Sequence, residues 1–161
     1  MTEPITFRPI GVIRTPYDRT EGMPIQATAA VGVRGRIELD PELVEGLAGL
    51  DGFSHLTLLY HLHLIESPRL TVTPFLDNQA HGIFATRSPA RPNAIGISTV
   101  RLIAISGPTI EIEDVDMVDG TPLLDIKPYV PAFDHRDGVD VGWFAGHLDG
   151  LAEARADDRF R

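Results

Sequence analysis

The sequence contains no cysteine among its 161 residues. This absence excludes disulfides, thiolate metal sites, iron–sulfur clusters and a cysteine nucleophile, so any catalysis must use oxygen or nitrogen groups or a cofactor. No apolar run is long enough to span a bilayer, and residues 1–9 lack the basic and then apolar plan of a secretory signal. We therefore expect a cytoplasmic protein without a membrane partner.

Lysine is almost as scarce, because Lys127 is the only lysine among 14 basic residues. The acidic residues bring the net charge to −9, which argues against broad, non-specific binding to nucleic acid, since such binding depends on clustered cations. Arginine recognises phosphates and carboxylates in a planar, bidentate manner, so a few well-placed arginines can still hold a charged ligand. A bias of the source genome toward arginine is the alternative explanation.

The chain does contain 43% hydrophobic residues, and its length suits one compact domain with a sizeable core. Short apolar or alternating segments bounded by Gly and Pro predict strands. These segments are Pro9–Thr15, Arg34–Leu39, Phe53–Leu64, Leu70–Thr73, Gly82–Thr86, Ile97–Ser106 and Thr109–Val115, with a further strand entered at Asp125–Tyr129. Such a series predicts a mainly β fold, a closed or nearly closed β-barrel with one or two short helices, because closure removes unpaired sheet edges.

One helix is predicted over Pro41–Ala48. Asp40 is a good N-cap, and proline at the first helical position has the backbone angle that a helix needs. Three leucines at helical spacing are expected to face the core: Leu43, Leu47 and Leu50.

The domain organisation follows from these segments. Residues 1–144 are predicted to form the barrel domain, and residues 145–161 a C-terminal tail. Apolar residues recur at helical spacing among the charges of the tail, at Leu148, Leu151 and Ala152, so a short amphipathic helix is expected there.

Residues 81–96 run from a predicted strand into a loop bracketed by Pro89 and Pro92. Proline fixes backbone torsions, so the polar side chains between and beside the prolines would be held on a stiff scaffold, as in many binding loops. These side chains are Arg87, Ser88, Arg91 and Asn93. The alternative is an ordinary surface turn whose arginines pair with nearby carboxylates.

Residues 115–129 place acidic side chains on both sides of a Gly120-Thr121-Pro122 turn. Asp116, Asp119 and Asp125 are the acids in question. Carboxylates at strand ends can hold ribose hydroxyls or an ammonium group of a ligand, and the backbone at a glycine can approach a base edge. The alternative is plain turn chemistry, for which Asp-Gly is a common dipeptide.

These two segments carry a resemblance to a known family. The strings Phe-Ala-Thr-Arg-Ser-Pro-Ala-Arg-Pro-Asn-Ala-Ile-Gly and Val-Asp-Gly-Thr-Pro-Leu-Leu-Asp-Ile-Lys-Pro-Tyr resemble the TrmO/TsaA-like family, and the similarity extends over Arg8–Val130. The resemblance implies a β-barrel methyltransferase that binds S-adenosylmethionine and works as a homodimer. It further implies N6-methylation of threonylcarbamoyladenosine beside the tRNA anticodon, with the proline-rich loop of one subunit near the cofactor site of the other.

The resemblance also implies site residues, although it names no general base. Cofactor-binding residues would be Pro24, Ile25, Gln26, His63, Leu64, Arg87, Ile97, Asp116, Met117, Val118, Asp119, Gly120 and Thr121. Acceptor-binding residues would be Arg91, Asn93, Lys127 and Tyr129. Arg87 is expected beside the cofactor, and Arg91 beside a phosphate of the acceptor.

Several alternatives stay open. Many bacterial relatives continue into a C-terminal domain that is thought to help hold tRNA, whereas this sequence ends soon after Phe144, as expected of a short form. The acceptor would then be a small molecule or another RNA. A metal-binding module that uses His61 and His63, with His55 on the same strand face, is a further possibility. So is a non-catalytic adapter that retains a nucleotide pocket.

Overall fold

A computed structural model describes residues 2–157 and 159. Its strands are β1 (Gly11–Arg14), β2 (Arg34–Leu39), β3 (His55–His61), β4 (Thr71–Val72), β5 (His81–Gly82), β6 (Ile95–Ser106), β7 (Thr109–Glu113) and β8 (Thr121–Pro128). Six of them close into an antiparallel barrel in the order β1-β2-β7-β6-β3-β8, while β4 and β5 form a separate two-stranded sheet. The predicted mainly β, closed barrel is confirmed.

The core of the barrel consists of the side chains that point inward from every second position of each strand. In β3, Leu56 and Leu58 are fully buried and Tyr60 nearly so, whereas the residues between them face outward. The other strands add fully buried Ile13, Ile37, Val100, Ile110, Ile112 and Leu123. Burying each such side chain contributes about 1.5–3 kcal/mol, so the alternating pattern largely fixes the register of the strands.

The predicted helix at Pro41–Ala48 is instead a 3₁₀ helix over Pro41–Leu47. Asp40 caps it as expected, because its side chain accepts a hydrogen bond from the Glu42 backbone N–H at 3.1 Å. With three residues per turn, positions four apart diverge by about 120°, so Leu43 and Leu47 cannot share one face. Leu47 packs against the core, but Leu43 is 42% exposed, and its predicted burial is wrong.

Several predicted strands are shorter than expected, and two of these differences affect predicted site residues. The segment Phe53–Leu64 is a strand only over β3, so His63 lies beyond its end and does not share a strand face with His61. The strand predicted at Gly82–Thr86 is wrong after Gly82, because Ile83–Ala85 forms a 3₁₀ turn. Thr86 stabilises that turn through its hydroxyl, which donates to the Ile83 carbonyl at 2.8 Å.

The described residues 145–157 and 159 contain turns and one β-bridge but no helix, so the predicted tail helix is wrong there. Gly146 adopts a positive φ of 79°, and glycine is a poor helix former, which explains the irregular backbone. The only α-helix of the described chain is α1 (Pro131–Asp134). No helix within residues 2–157 and 159 is long and apolar enough to cross a membrane.

Candidate functional site

The Asp116 carboxylate is the centre of the candidate site. Ser98 on β6 donates its hydroxyl to Oδ1 of Asp116 at 2.6 Å, and the Tyr60 hydroxyl on β3 lies 2.8 Å from Oγ of Ser98. Because the single proton of Ser98 is directed to the carboxylate, Tyr60 must donate to Ser98. A directed chain of two hydrogen bonds therefore leads from the barrel interior to Asp116.

The surroundings of Asp116 change its acidity. Burial raises the pKa of Asp116 to about 6, against the opposing effects of the Ser98 hydrogen bond, nearby backbone N–H groups and the Arg87 charge. The residue as a whole is only half-buried, so one edge of it reaches solvent. Burial, reinforced by the Asp116 charge, also raises the pKa of Tyr60 far above its usual value. The site therefore holds a carboxylate that is costly to ionise, beside a hydroxyl that stays protonated.

Two other segments meet at this carboxylate. The backbone N–H of Ala27 lies close enough to Asp116 to lower its pKa, so the early loop (residues 20–27) borders the site. Arg87 lies close enough for its charge to lower the pKa of Asp116. The Arg87 side chain is exposed, and within residues 2–157 and 159 it makes no hydrogen bond or ion pair. The site therefore presents one carboxylate and one uncommitted cation.

Hydrogen bonds from Thr15 fix the turn between β7 and β8, which carries Asp116. The Thr15 hydroxyl donates to the Met117 carbonyl at 2.7 Å, and the Thr15 backbone N–H donates to the Asp119 side chain at 3.1 Å. Gly120 has a φ of 82°, a conformation that disfavours other residues. Since Asp119 is committed to shaping this turn, Asp116 is the acid of the turn that faces the site.

Arg91 has a structural role that the sequence did not reveal. Its Nη1 donates to the carbonyls of Thr86 at 2.9 Å, Ser88 at 3.2 Å and Ile83 at 3.3 Å. The Arg91 guanidinium thus stabilises the turn that precedes Arg87 and links the two ends of the proline-rich loop. The predicted contact between Arg91 and an acceptor phosphate stays a prediction.

Residues 12–135 match the tRNA-methyltransferase O N-terminal domain family. The chain belongs to this family.

Several relatives and solved structures support the assignment. A probable S-adenosyl-L-methionine-binding protein of Pyrococcus abyssi is 50% identical over 156 residues, which cover 97% of this chain and 85% of that one. The human tRNA (adenine(37)-N6)-methyltransferase is 35% identical over 140 residues, covering 81% of this chain and 31% of the human protein. The crystal structure of TrmO from Pseudomonas aeruginosa superposes with a TM-score of 0.73 at 37% identity, covering 89% of this chain. The present chain spans 63% of that solved chain.

The fold brings together only some of the residues that the TrmO resemblance named. Pro24 is buried and Ile25 and Gln26 are half-buried in the early loop, which Ala27 joins to Asp116. His63 and Leu64 follow the end of β3, which pairs with the start of β8. These segments all lie at one end of the barrel, and their contacts with a cofactor stay predictions.

Other named residues lie elsewhere in the TrmO-type barrel. Ile97 is 43% exposed on the outer face of β6, opposite to its neighbour Ser98. Lys127 pairs with Asp125 at 2.8 Å and lies at the far end of β8, about 20 Å from Thr121 at the usual rise of a strand. Tyr129 contacts the ring of His55 at that same end, with ring centroids 6.3 Å apart. Asn93 is exposed.

Sequence reasoning missed Ser98, Tyr60 and Ala27, because nothing in their local sequence separates them from ordinary barrel residues. It also raised a metal site at His61 and His63. Among the described residues, no group of three or more His, Cys, Asp or Glu side chains is placed to hold a metal ion.

Proposed function

We propose that this chain binds S-adenosylmethionine at the Asp116 site and transfers its methyl group to N6 of threonylcarbamoyladenosine beside the tRNA anticodon. The observation that carries the proposal is the carboxylate of Asp116, whose burial raises its pKa, near the unpaired guanidinium of Arg87 in a barrel of the TrmO family. The names of the relatives agree with it, since they include S-adenosylmethionine-binding proteins and tRNA adenine-N6-methyltransferases.

The residues present fit the charges of this cofactor. S-adenosylmethionine carries an ammonium, a carboxylate and a cationic sulfonium beside an adenosine. Asp116 would hold the positive groups, and Arg87 the carboxylate, in charge-assisted hydrogen bonds. Met23 and Pro24 are buried in the early loop and would supply apolar surface for the adenosine. The cofactor supplies the reactive methyl group, while these residues supply position and electrostatics.

The cofactor is expected to bind one site per chain and to raise the melting temperature. A ligand at 100 times its Kd stabilises the native state by about 2.7 kcal/mol. Calorimetry and a thermal-shift series with S-adenosylmethionine measure both effects. Arg87→Ala is expected to weaken binding at least about tenfold, since a charge-assisted hydrogen bond contributes about 1.5–3 kcal/mol.

Arg91→Lys is the matched variant, because lysine keeps a positive charge and three donors that can hold the carbonyls around the loop. It is expected to spare cofactor affinity and to weaken acceptor binding. The pocket assignment would be wrong if Arg87→Ala bound the cofactor as well as the wild type. Absence of binding to the wild type at millimolar cofactor would remove the proposed function itself.

The acceptor is tested in cells. Nucleosides from total tRNA are compared between cells with the protein, without it, and with Arg87→Ala in its place. Loss of one methyl group from threonylcarbamoyladenosine in the last two supports the tRNA acceptor. An unchanged tRNA profile, together with normal cofactor binding, would favour a small molecule or another RNA. With a tRNA acceptor, we also propose a cytoplasmic location.

The working unit is proposed to be a homodimer. Ile95 and Ile97 are each 43% exposed on β6, and half-buried Leu59 on β3 pairs with Ile97, so one barrel wall carries an apolar stripe. A second copy also offers a way to bring the distant Lys127 and Tyr129 toward a site, since no single chain does so. Light scattering at micromolar concentration should give twice the mass of one chain, and Ile95→Glu should reduce it. A monomeric wild type would contradict the proposal.

A further inference from the structure

The chain beyond Gly142 folds back across the loops that border the Asp116 site. We call residues 142–157 and 159 the strap. Its backbone is irregular, and it is attached to the rest of the protein at three separate places. Two of the three attachments hold segments that contribute to the site.

The first attachment centres on Trp143. Its indole N–H donates to the Ala85 carbonyl at 2.7 Å, and its ring stacks on the ring of His81 at 4.4 Å. The Asp77 side chain, which is only 9% exposed, lies 2.7 Å from Nε2 of His81 and 3.7 Å from Nε2 of His147. The strap is therefore fixed to the same turn that leads into Arg87.

The second attachment holds the early loop. Arg155 and Pro24 form an antiparallel bridge, flanked by hydrogen bonds from Gly22 N–H to the Ala156 carbonyl at 2.8 Å and from Ala156 N–H to the Met23 carbonyl at 2.9 Å. Within the described chain, the backbone hydrogen bonds that tie Gly22 and Met23 to anything outside their own loop go to the strap. The strap therefore holds the Gly22–Pro24 part of this loop, while Ala27 at its other end borders Asp116 of the barrel.

The strap also passes close to the site itself. Burial raises the pKa of the Tyr17 hydroxyl, the Arg155 charge opposes that rise, and the Asp116 charge adds to it. Tyr17 is thus near both charges, which places the guanidinium of Arg155 on the same side of the protein as the Asp116 carboxylate.

The third attachment lies away from the site. Nη1 of Arg159 donates to the Pro74 carbonyl at 2.8 Å, and the Arg159 carbonyl accepts from Arg69 at 2.7 Å. The guanidinium also lies over the Phe75 ring, 5.3 Å from its centroid. Because none of these residues belongs to the candidate site, this attachment can be changed without altering the site directly.

We propose that the strap is a movable wall of the cofactor site. The strap positions the early loop and the turn before Arg87, so docking of the strap and binding of the cofactor strengthen each other. The proposal rests on the proposed function, since it takes the Asp116 site to be the cofactor site. Coupling between two equilibria is reciprocal: docking of the strap raises cofactor affinity by the same factor by which the cofactor strengthens docking. Residues 143 and 155 are then positioning residues for the binding reaction.

Arg159→Ala tests the coupling from the distant attachment. It removes a hydrogen bond and a cation–π contact, so a loss of cofactor affinity of roughly threefold to tenfold is expected. Arg136→Ala, at an exposed position outside the strap, is the matched control and should bind like the wild type. Trp143 is the only tryptophan of the chain, so its fluorescence reports the docking of the strap during the same titration.

An engineered disulfide between the early loop and the strap gives a second test. It compares the oxidised and reduced forms of one protein, so it does not require a destabilised variant to fold. The chain has no native cysteine, and bridged residues of antiparallel strands have the Cα spacing that a disulfide requires. In the double variant Pro24→Cys, Arg155→Cys, the oxidised form should release S-adenosylmethionine at least about tenfold more slowly than the reduced form of the same protein.

The outcomes separate the two proposals. Equal dissociation rates in the oxidised and reduced forms, with Arg159→Ala binding like the wild type, would overturn the strap as a wall of the site. Failure of the wild type to bind the cofactor by calorimetry would instead remove the proposed function. A smaller effect of Arg159→Ala than of Arg136→Ala would also count against the strap.

Discussion

Asp116→Asn is expected to make the protein more stable at neutral and alkaline pH and less able to bind its cofactor. The pKa of Asp116 is raised from 3.8 to about 6, so the folded protein binds this proton more tightly than the unfolded chain does. The stabilising contribution of that proton is complete below pH 3.8 and is lost as the pH rises through 6. At pH 8 the ionised carboxylate therefore costs stability, on the order of 1–3 kcal/mol.

Asparagine removes that cost and keeps an oxygen that accepts the hydrogen bond from Ser98. Denaturant unfolding should show a more stable variant at pH 8 and little difference from the wild type near pH 4. Cofactor affinity should fall about tenfold or more, because a charge-assisted contact is lost. Asp18→Asn, at a side chain that is 94% exposed, is the control and should change neither quantity. A variant that is destabilised at pH 8 would contradict this account of the site.

Gly96→Ala is expected to disrupt the barrel wall behind the site. A Cβ at this position would lie 2.1 Å from Cε2 and 2.6 Å from Cζ of the Tyr60 ring, and Tyr60 is only 6% exposed. The ring must move, which also breaks its hydrogen bond to Ser98. The free energy of unfolding should fall by about 2–4 kcal/mol, as overpacking and a lost buried hydrogen bond add together.

Gly82→Ala is the matched control for that substitution. Nothing lies within 4 Å of a Cβ added at Gly82, and its φ of −61° suits any residue. Adding Tyr60→Leu to Gly96→Ala should restore part of the lost stability, since the two residues are in direct contact. Equal unfolding free energies for Gly96→Ala and Gly82→Ala would show that the ring can relax at no cost.

The barrel could be predicted from the sequence because strand alternation is a strong local signal. In β3, every second residue is large and apolar, so a slip of one residue would expose Leu56 and Leu58. The 3₁₀ helix at Pro41–Leu47 was not predicted, since the four-residue spacing of Leu43 and Leu47 favours an α-helix and only the folded backbone shows the tighter turn. Local propensity likewise gave no sign that Ile83–Ala85 leaves the strand conformation.

The candidate site was predictable only where a long motif marks it. Arg87 lies in the first family string and Asp116 two residues before the second, and the fold places their charges near each other. Ser98 and Tyr60 reach Asp116 from neighbouring strands, a proximity that depends on register rather than on any local pattern. The hydrogen bonds from Arg91 to carbonyls of its own loop could not be predicted either, because they depend on carbonyl directions that only the folded backbone defines.

The bridge between Pro24 and Arg155 also sets the order in which the protein matures during synthesis. The early loop leaves the ribosome more than a hundred residues before the segment that holds it, and β8, which closes the barrel against β1, emerges between the two. At about 5–20 residues per second, roughly 1–5 s of synthesis separate Pro128, at the end of β8, from Arg155. The segment that holds the early loop is thus made after every strand of the barrel, and on the strap proposal this loop is the last part of the site to be fixed in place.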